Sequence, residues 1–338
     1  MQPPQGPKTT IMGSERSSVD DHDASSIHAA LFTDSSQAMV FSAEVKVMGT
    51  TARVTTVGGT AKLPEAIIEM LEHLNVLWSR FRDDSEISRL NAAPGSAIEV
   101  DSRTRDLIAL MIEGHHITNG AFDPTLLPSL ISEGYGASLV DPANVTRLPP
   151  SSLGRGAPEQ IIISGNSVTL PRGTTLDSGG AGKGYAADLA VDFAMNQGAL
   201  GAMVEVGGDL RVRGVSPSAE MWRLAIEHPF DASRRLSVIE LANGGVATST
   251  IAKRRFEVDG RPTHHIINPR TGRSAESDVV QATVIAPSAR QAEIATKIAF
   301  VDGSLALLTF AHKNGYQAGC YTSDGNWTTT KDWPEANA

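Results

Sequence analysis

The sequence predicts an α+β fold, and three observations carry that prediction. Segments with helical period and segments with strand alternation are mixed along the chain, without the regular β-α succession of a doubly wound sheet. No internal repeat is visible. The 338 residues, 41% apolar and 20% charged, are enough to bury a sizeable core as one large domain or two. The expected architecture is mixed or antiparallel sheets with helices packed against them.

Residues 1–40 run through a Ser/Asp-rich stretch from Ser14 to Ser26 and are expected to form a disordered leader. They hold no basic start followed by an apolar run and no cysteine to carry a lipid. The chain is therefore expected in the cytoplasm without a membrane anchor. The ordered part is expected to begin near Phe41, with strands at 44–48 and 52–56 around Gly49. Apolar residues at 67, 68, 71, 74, 78 and 81 give residues 63–81 a helical period. A second helix is expected over 104–118, closed by Asn119-Gly120. Residues 126–159, rich in Pro, Gly and Ser, read as irregular or weakly helical.

Ile161-Ile162-Ile163 and Val168-Thr169-Leu170 flank Ser164-Gly165-Asn166-Ser167 as a hairpin, with the second strand taken to run on to 176. A helix is expected over 183–197, then strands at 202–206, 210–212, 222–228, 236–241 and 279–286. Ser288-Ala289-Arg290-Gln291 fits a capping box that opens a helix to about 301. A helix at 305–312 and a strand at 316–322 precede a polar tail, 326–338.

The formal net charge of −9 argues against a general binder of nucleic acid or of anionic membranes. The single cysteine, Cys320, excludes an internal disulfide framework and a Cys-based metal cluster, and its neighbours make it a buried strand thiol.

Chemistry concentrates in the loop from Asp177 to Asp188. Its glycines let backbone N–H groups approach a ligand, and the helix start beyond them favours negative charge. A P-loop is excluded, because Asp177 and Gly184 stand where it needs Gly and Ser/Thr. Gly182, Gly184 and Ala187 spell G-x-G-x-x-A, but they fall inside the helix start, against a dinucleotide fold. Asp123 precedes Pro124 and is held extended, either aimed at a ligand or closing a helix end. Ala247-Thr248-Ser249-Thr250 with Lys253, Arg254 and Arg255 offers hydroxyls and cations to a phosphate, or is a solvated basic face. Of the neighbours His264 and His265, strand alternation lets only one face a site, as a base near neutral pH. Glu293, Thr296 and Lys297 share a helix face that suits either a hard cation or an ordinary ion pair.

Taken together, these segments resemble the FAD:protein FMN transferase family, the ApbE-like flavin transferases. The match runs in order from about Met48 to Gly303. It includes Met48-Gly49-Thr50, Ser79-Arg80-Phe81 with Asp84-Ser85-Glu86-Ile87-Ser88-Arg89-Leu90-Asn91, and Gly120-Ala121-Phe122-Asp123-Pro124-Thr125. The glycine loop, Gly207-Gly208-Asp209, Ala247-Thr248-Ser249 and His265-Ile266-Ile267-Asn268-Pro269-Arg270-Thr271-Gly272 follow.

The resemblance implies one domain over 41–325, related to the T-fold, that binds FAD with Mg²⁺. It implies transfer of FMN to a Thr or Ser hydroxyl of a target protein, with release of AMP. A FAD-binding protein with weak or lost transfer, or a FAD pyrophosphatase giving FMN and AMP, stands as the alternative. By the resemblance FAD contacts fall on Met48, Phe81, Ala121, Phe122, Asp123, Asp177, Lys183 and Ile267, and His265 is the base. The metal falls to the carbonyl of Gly180 and the helix after Ser288. There the family's Asp and Thr are Glu293 and Lys297, so that Thr296 takes over by a shift of register or Lys297 supplies the charge itself. The family's Asp in the His motif is Asn268 here, and Ser178 and Gly182 vary the loop.

Overall fold

The computed structural model describes residues 8–12, 38–138 and 140–336. The leader expected over 1–40 lies outside that set, except for residues 38–40 and an edge strand, β1 (Lys8–Met12), paired with the strand that follows. β2 (Val40–Val47) and β3 (Thr50–Gly58) form a hairpin that pairs Val47 with Thr50. Its two loop residues, Met48 and Gly49, have φ of 52° and 70°. Positive φ at both positions gives a turn whose twist matches the strands, and Met48 is held there without a glycine's freedom.

Helix α1 (Leu63–Trp78) starts on Pro64 and buries Ile67, Ile68, Leu71, Leu74 and Trp78, the stripe its period predicts. It stops at Trp78 rather than Phe81, because Ser79 turns extended, and this frees Arg80 and Phe81 from the helix. Helix α2 (Glu86–Ala92) is capped by the Ser85 hydroxyl, which accepts from Ser88 N at 3.1 Å. β4 (Ala97–Glu99), α3 (Ser102–Ile117) and α4 (Leu127–Ser132) follow, the last a short helix in the stretch read as irregular.

β5 (Ile162–Ser164) and β6 (Ser167–Thr169) form the expected hairpin, and β4 joins it. The strand expected to run on to 176 stops at Thr169. Beyond it the backbone bonds elsewhere: Leu176 N donates to the Asn91 side chain at 2.7 Å, and Asp177 N to Pro124 O at 2.9 Å. The glycine loop therefore leaves from a coil pinned across the domain.

After the loop come α5 (Gly182–Asn196), β7 (Ala199–Val206), β8 (Asp209–Gly214), β9 (Trp222–His228), β10 (Asp231–Leu241) and β11 (Asn243–Thr250). Two small ribbons, β12 (Arg255–Val258) with β13 (Arg261–His264) and β14 (Ile267–Asn268) with β15 (Arg273–Ser274), carry the His motif. β16 (Val279–Ala286), α6 (Ala289–Asp302), α7 (Ser304–Asn314), β17 (Gln317–Thr322) and β18 (Trp327–Thr329) close the chain. The main sheet has the order β1-β2-β3-β7-β8-β11-β16-β17-β18, with every described pairing antiparallel. The α+β class predicted from the mixed patterning is the one observed.

β11 was not expected as a strand, being glycine- and hydroxyl-rich. A Cβ on Gly245 would lie 2.0 Å from the Ala289 nitrogen, so glycine is what lets α6 start directly on the sheet. On that face of the sheet α1, α3 and α5 share one core with β2, β3 and β7, and α6 and α7 another with β16 and β17. A third core joins Val212, Val246 and Ile285 of the sheet to Trp222, Leu224, Ile226 and Ile239 of the β9–β10 hairpin. The polar tail is held as well, since β18 pairs with β17 and Trp327 and Trp333 pack on this third core. Cys320, in β17, is fully buried, and burial pushes its thiol up to about 12. No helix among the described residues is long and apolar enough to cross a membrane.

Candidate active site

A cavity of about 950 Å³ opens where the β2–β3 turn, the residue after α1, the N-terminus of α5, the start of β8, the His motif and α6 converge. That is the upper end of the range for ligand clefts.

One end is built from charges. Lys183, on the first turn of α5, pairs its ammonium with both Asp209 at the start of β8 and Glu293 on α6. The second Glu293 oxygen accepts from Gly184 N at 2.8 Å. A Cβ on Gly184 would sit 2.6 Å from Ala289 O, so this glycine serves the crossing of α5 and α6 rather than a ligand. One turn on, Asp188 accepts from Ala289 N at 2.9 Å and Arg290 N at 3.1 Å, capping α6 from α5.

Burial works against the Lys183 ammonium, but the two carboxylates outweigh it and hold its pKa above the usual lysine range. Burial, reinforced by Glu293, pushes Asp209 up to about 7 in spite of both lysines. Burial also favours neutral Glu293, yet Lys183, Lys297 and the Gly184 N–H keep it below the usual range. Glu293 has the better donors, so it keeps the charge and Asp209 bears the repulsion.

Lys297 lies a turn beyond Glu293. Its ammonium donates to Glu293 O at 2.8 Å, Thr296 Oγ1 at 3.0 Å and Ser249 Oγ at 3.2 Å. Burial pushes the amine down to about 8, with Glu293 opposing and Lys183 assisting. A Cβ on Gly180 would lie 3.5 Å from Lys297 Cε, so the lysine runs beside the backbone assigned to the metal. Thr296 is fully buried and does not line the cavity, and its hydroxyl is spent on Glu293 O at 2.7 Å and Ser249 at 2.8 Å. Among the described residues, no group of three or more His, Cys, Asp or Glu is placed to hold a metal ion. Mg²⁺ needs oxygen ligands around a near-octahedral shell. With both Glu293 oxygens and the Thr296 hydroxyl committed and an ammonium alongside, the residues present do not fit it.

The other end is aromatic. Arg80, only 6% exposed, lies with its guanidinium carbon 4.1 Å from the Phe81 ring centre and 4.7 Å from that of Tyr135. It donates to Thr146 Oγ1 at 2.6 Å and Tyr135 O at 2.8 Å, and Asp177 stands 3.5 Å from its Nε. Tyr135 stacks in turn on Phe256, with 5.4 Å between centroids. Arg80 enters the sequence reading only within the Ser79-Arg80-Phe81 segment, and Tyr135 lies in the stretch read as irregular, so neither is among the expected site residues.

Met48, Phe81, Ala121, Phe122, Asp123, Asp177, Lys183 and Ile267 all line the cavity, as do Gly180 and Glu293. Asp123 does so with its carboxylate occupied, accepting from Thr125 N, Thr125 Oγ1 and Arg155 Nε at 2.9, 2.6 and 2.7 Å. His265, at a bend after β13, also lines it, and its Nδ1 is buried without a hydrogen-bond partner. Burial, then Arg254 and Lys297, hold this imidazole well below its usual pKa, so it is neutral near pH 7. His264 faces the other way and meets Ala275 O at 3.0 Å, as strand alternation requires. Ser249 and Thr250 of β11 complete the wall with Lys253 and Arg254.

The cleft on this antiparallel sheet is thus lined by Lys183, Lys297, Asp209 and Glu293 and by the rings of Phe81, Phe122 and Tyr135. Residues 48–320 match the model of the ApbE family, and the chain belongs to that family. It is 31% identical over 257 residues to the FAD:protein FMN transferase of Vibrio cholerae, covering 73% of this chain and 76% of that protein. Among solved structures it resembles the ApbE protein of Thermotoga maritima, with a TM-score of 0.76 at 27% identity over 86% of this chain and 97% of that one. The apo flavinyl transferase ApbE of Pseudomonas stutzeri follows, with a TM-score of 0.74 at 28% identity over 89% and 98%.

Proposed function

We propose that this chain is a FAD:protein FMN transferase that moves FMN from FAD to a Thr or Ser hydroxyl of an acceptor protein and releases AMP. FAD is the donor substrate. Its diphosphate lies at the Lys183–Lys297 end, where ammonium groups and the α5 N-terminus favour negative charge. The aromatic end, with Phe81 and Tyr135 around Arg80, suits a flat ring.

The observation that supports transfer is His265 itself on the cleft wall, an imidazole that burial keeps neutral and so able to accept a proton. A neutral imidazole there takes the proton of the acceptor hydroxyl. The freed oxygen bonds to the FMN-side phosphorus, the bridging P–O bond breaks, and its electron pair leaves with AMP. Lys183 and Lys297 stabilise the charge that develops on the phosphate oxygens. Mg²⁺ has no part in this reading, because the residues at its expected position do not fit it.

Incubation with FAD and a lysate of the source cells tests the proposal, reading AMP and flavin fluorescence on denatured gel bands. A fluorescent acceptor band together with AMP is expected. AMP without any labelled protein points to pyrophosphatase action, and bound FAD with neither product points to a binding role; either outcome sinks transfer.

A further inference from the structure

On the flavin reading just given, we propose that the Lys297 ammonium is a built-in cation standing in for a divalent metal ion, so that FAD is bound without Mg²⁺. Three features of the charged end lead there. The first is position: Lys297 runs alongside Gly180 and its amine sits against Glu293 O, Thr296 and Ser249, so it fills the corner between the loop and α6. The second is charge. Lys183 and Lys297 face Asp209 and Glu293, two ammonium groups against two carboxylates, and the corner is already neutral before a ligand enters. A divalent ion therefore meets no net negative charge there, whereas an incoming diphosphate can take a hydrogen-bond donor from each ammonium. The third is ligand supply. Glu293 gives one oxygen to Lys183 and the other to Gly184 N, and the Thr296 hydroxyl is turned away from the cavity, so a metal finds no free side-chain oxygen on α6.

Lysine is suited to the substitution. Its ammonium is a compact point charge with three donors, and it binds phosphate oxygens without fixed coordination geometry. The hydroxyls of Ser249 and Thr296 accept from the amine and hold it in place, and the ammonium turns one of its N–H donors to a phosphate oxygen when it arrives.

The test is FAD affinity, read from flavin fluorescence, for the full chain in EDTA and in excess Mg²⁺. Wild-type affinity is expected to be the same in both. Lys297→Met is expected to bind FAD about ten- to hundredfold more weakly in either buffer, the cost of losing a charged hydrogen-bond donor. Lys297→Thr is expected to be equally weak in EDTA and to regain affinity as Mg²⁺ is added. Circular dichroism of both variants checks that they fold, and the wild-type comparison stands whether or not they do. Wild-type binding that collapses in EDTA and returns with Mg²⁺ overturns the proposal, and so does a folded Lys297→Met that binds like wild type. Absence of FAD binding in both buffers instead overturns the flavin reading, and the proposal with it.

Discussion

Lys183, half-buried, and Arg80, buried, are both cations on the wall of one cleft, and they are held in opposite ways. Lys183 stands on a helix between two carboxylates, one from a strand and one from the neighbouring helix. Arg80 stands on the connection after α1 between two rings, with a hydroxyl, a carbonyl and one carboxylate at 3.5 Å. Lys183 is structural, because removing it takes the ammonium from between two buried carboxylates. Arg80 keeps its stacking and hydrogen bonds if Asp177 turns to a ligand. One end is locked by ion pairs, and the other is held mainly by ring stacking and hydrogen bonds.

The sharpest way to break this contrast is Lys183→Met, which removes the ammonium between Asp209 and Glu293 and leaves Lys297 alone facing both carboxylates. A stability loss of about 3–5 kcal/mol is expected, seen as a lowered denaturation midpoint. A midpoint like wild type would mean that the ion pairs hold nothing together. Turnover rather than stability distinguishes His265 from both cations: His265→Asn should lower AMP release by about 10²- to 10⁴-fold with FAD binding kept. Equal losses in binding and turnover would remove its role as base. Gly184→Ala probes the helix crossing, since its Cβ meets Ala289 O at 2.6 Å; a cost of about 1–3 kcal/mol in thermal or urea melts is expected.

The smallest effect belongs to the aromatic end. Glu133, just after α4, accepts from Arg261 at 2.6 and 3.1 Å and from Ser274 N at 3.0 Å, tying the Tyr135 segment to the His ribbons. The Arg261 guanidinium, helped by Ser274, lowers its carboxyl from 4.5 to about 2. A depressed folded pKa means stabilisation that is complete above about 4.5 and is lost as pH falls toward about 2. Melts of wild type against Glu133→Gln across that window should show a shallower acid-dependent loss in the variant, because Asp101, likewise lowered to about 2, still titrates there. The same slope in both would place the titrating group elsewhere.

Much of the fold was legible because local rules agreed with tertiary structure. Gly49 in an alternating stretch marked the first hairpin, the stripe from Ile67 to Trp78 marked α1, and Ser288 marked the start of α6. β11 was missed because its glycines and hydroxyls resemble a phosphate loop, while their cause is the close approach of α6, a contact far along the chain. The glycine loop misled in the same way at Gly184, which serves helix packing. The site residues expected on the cleft are on it, except Thr296, whose inward face follows from helix phase only once Lys297 is known to point outward. Arg80 stayed hidden because a cation between two rings leaves no periodic trace, and Tyr135 reaches it from another element.

Cys320 gives the chain a built-in clock. It is the sole thiol in the sequence, it has no solvent exposure, and its pKa is pushed up to about 12. Thiolate is the reactive form, so an added thiol reagent reaches it only when β17 leaves the sheet. The labelling rate then counts how often this side of the domain opens, without mutation or attached dye. A bound flavin that slowed the clock would report coupling from the cleft to the far strands of the sheet.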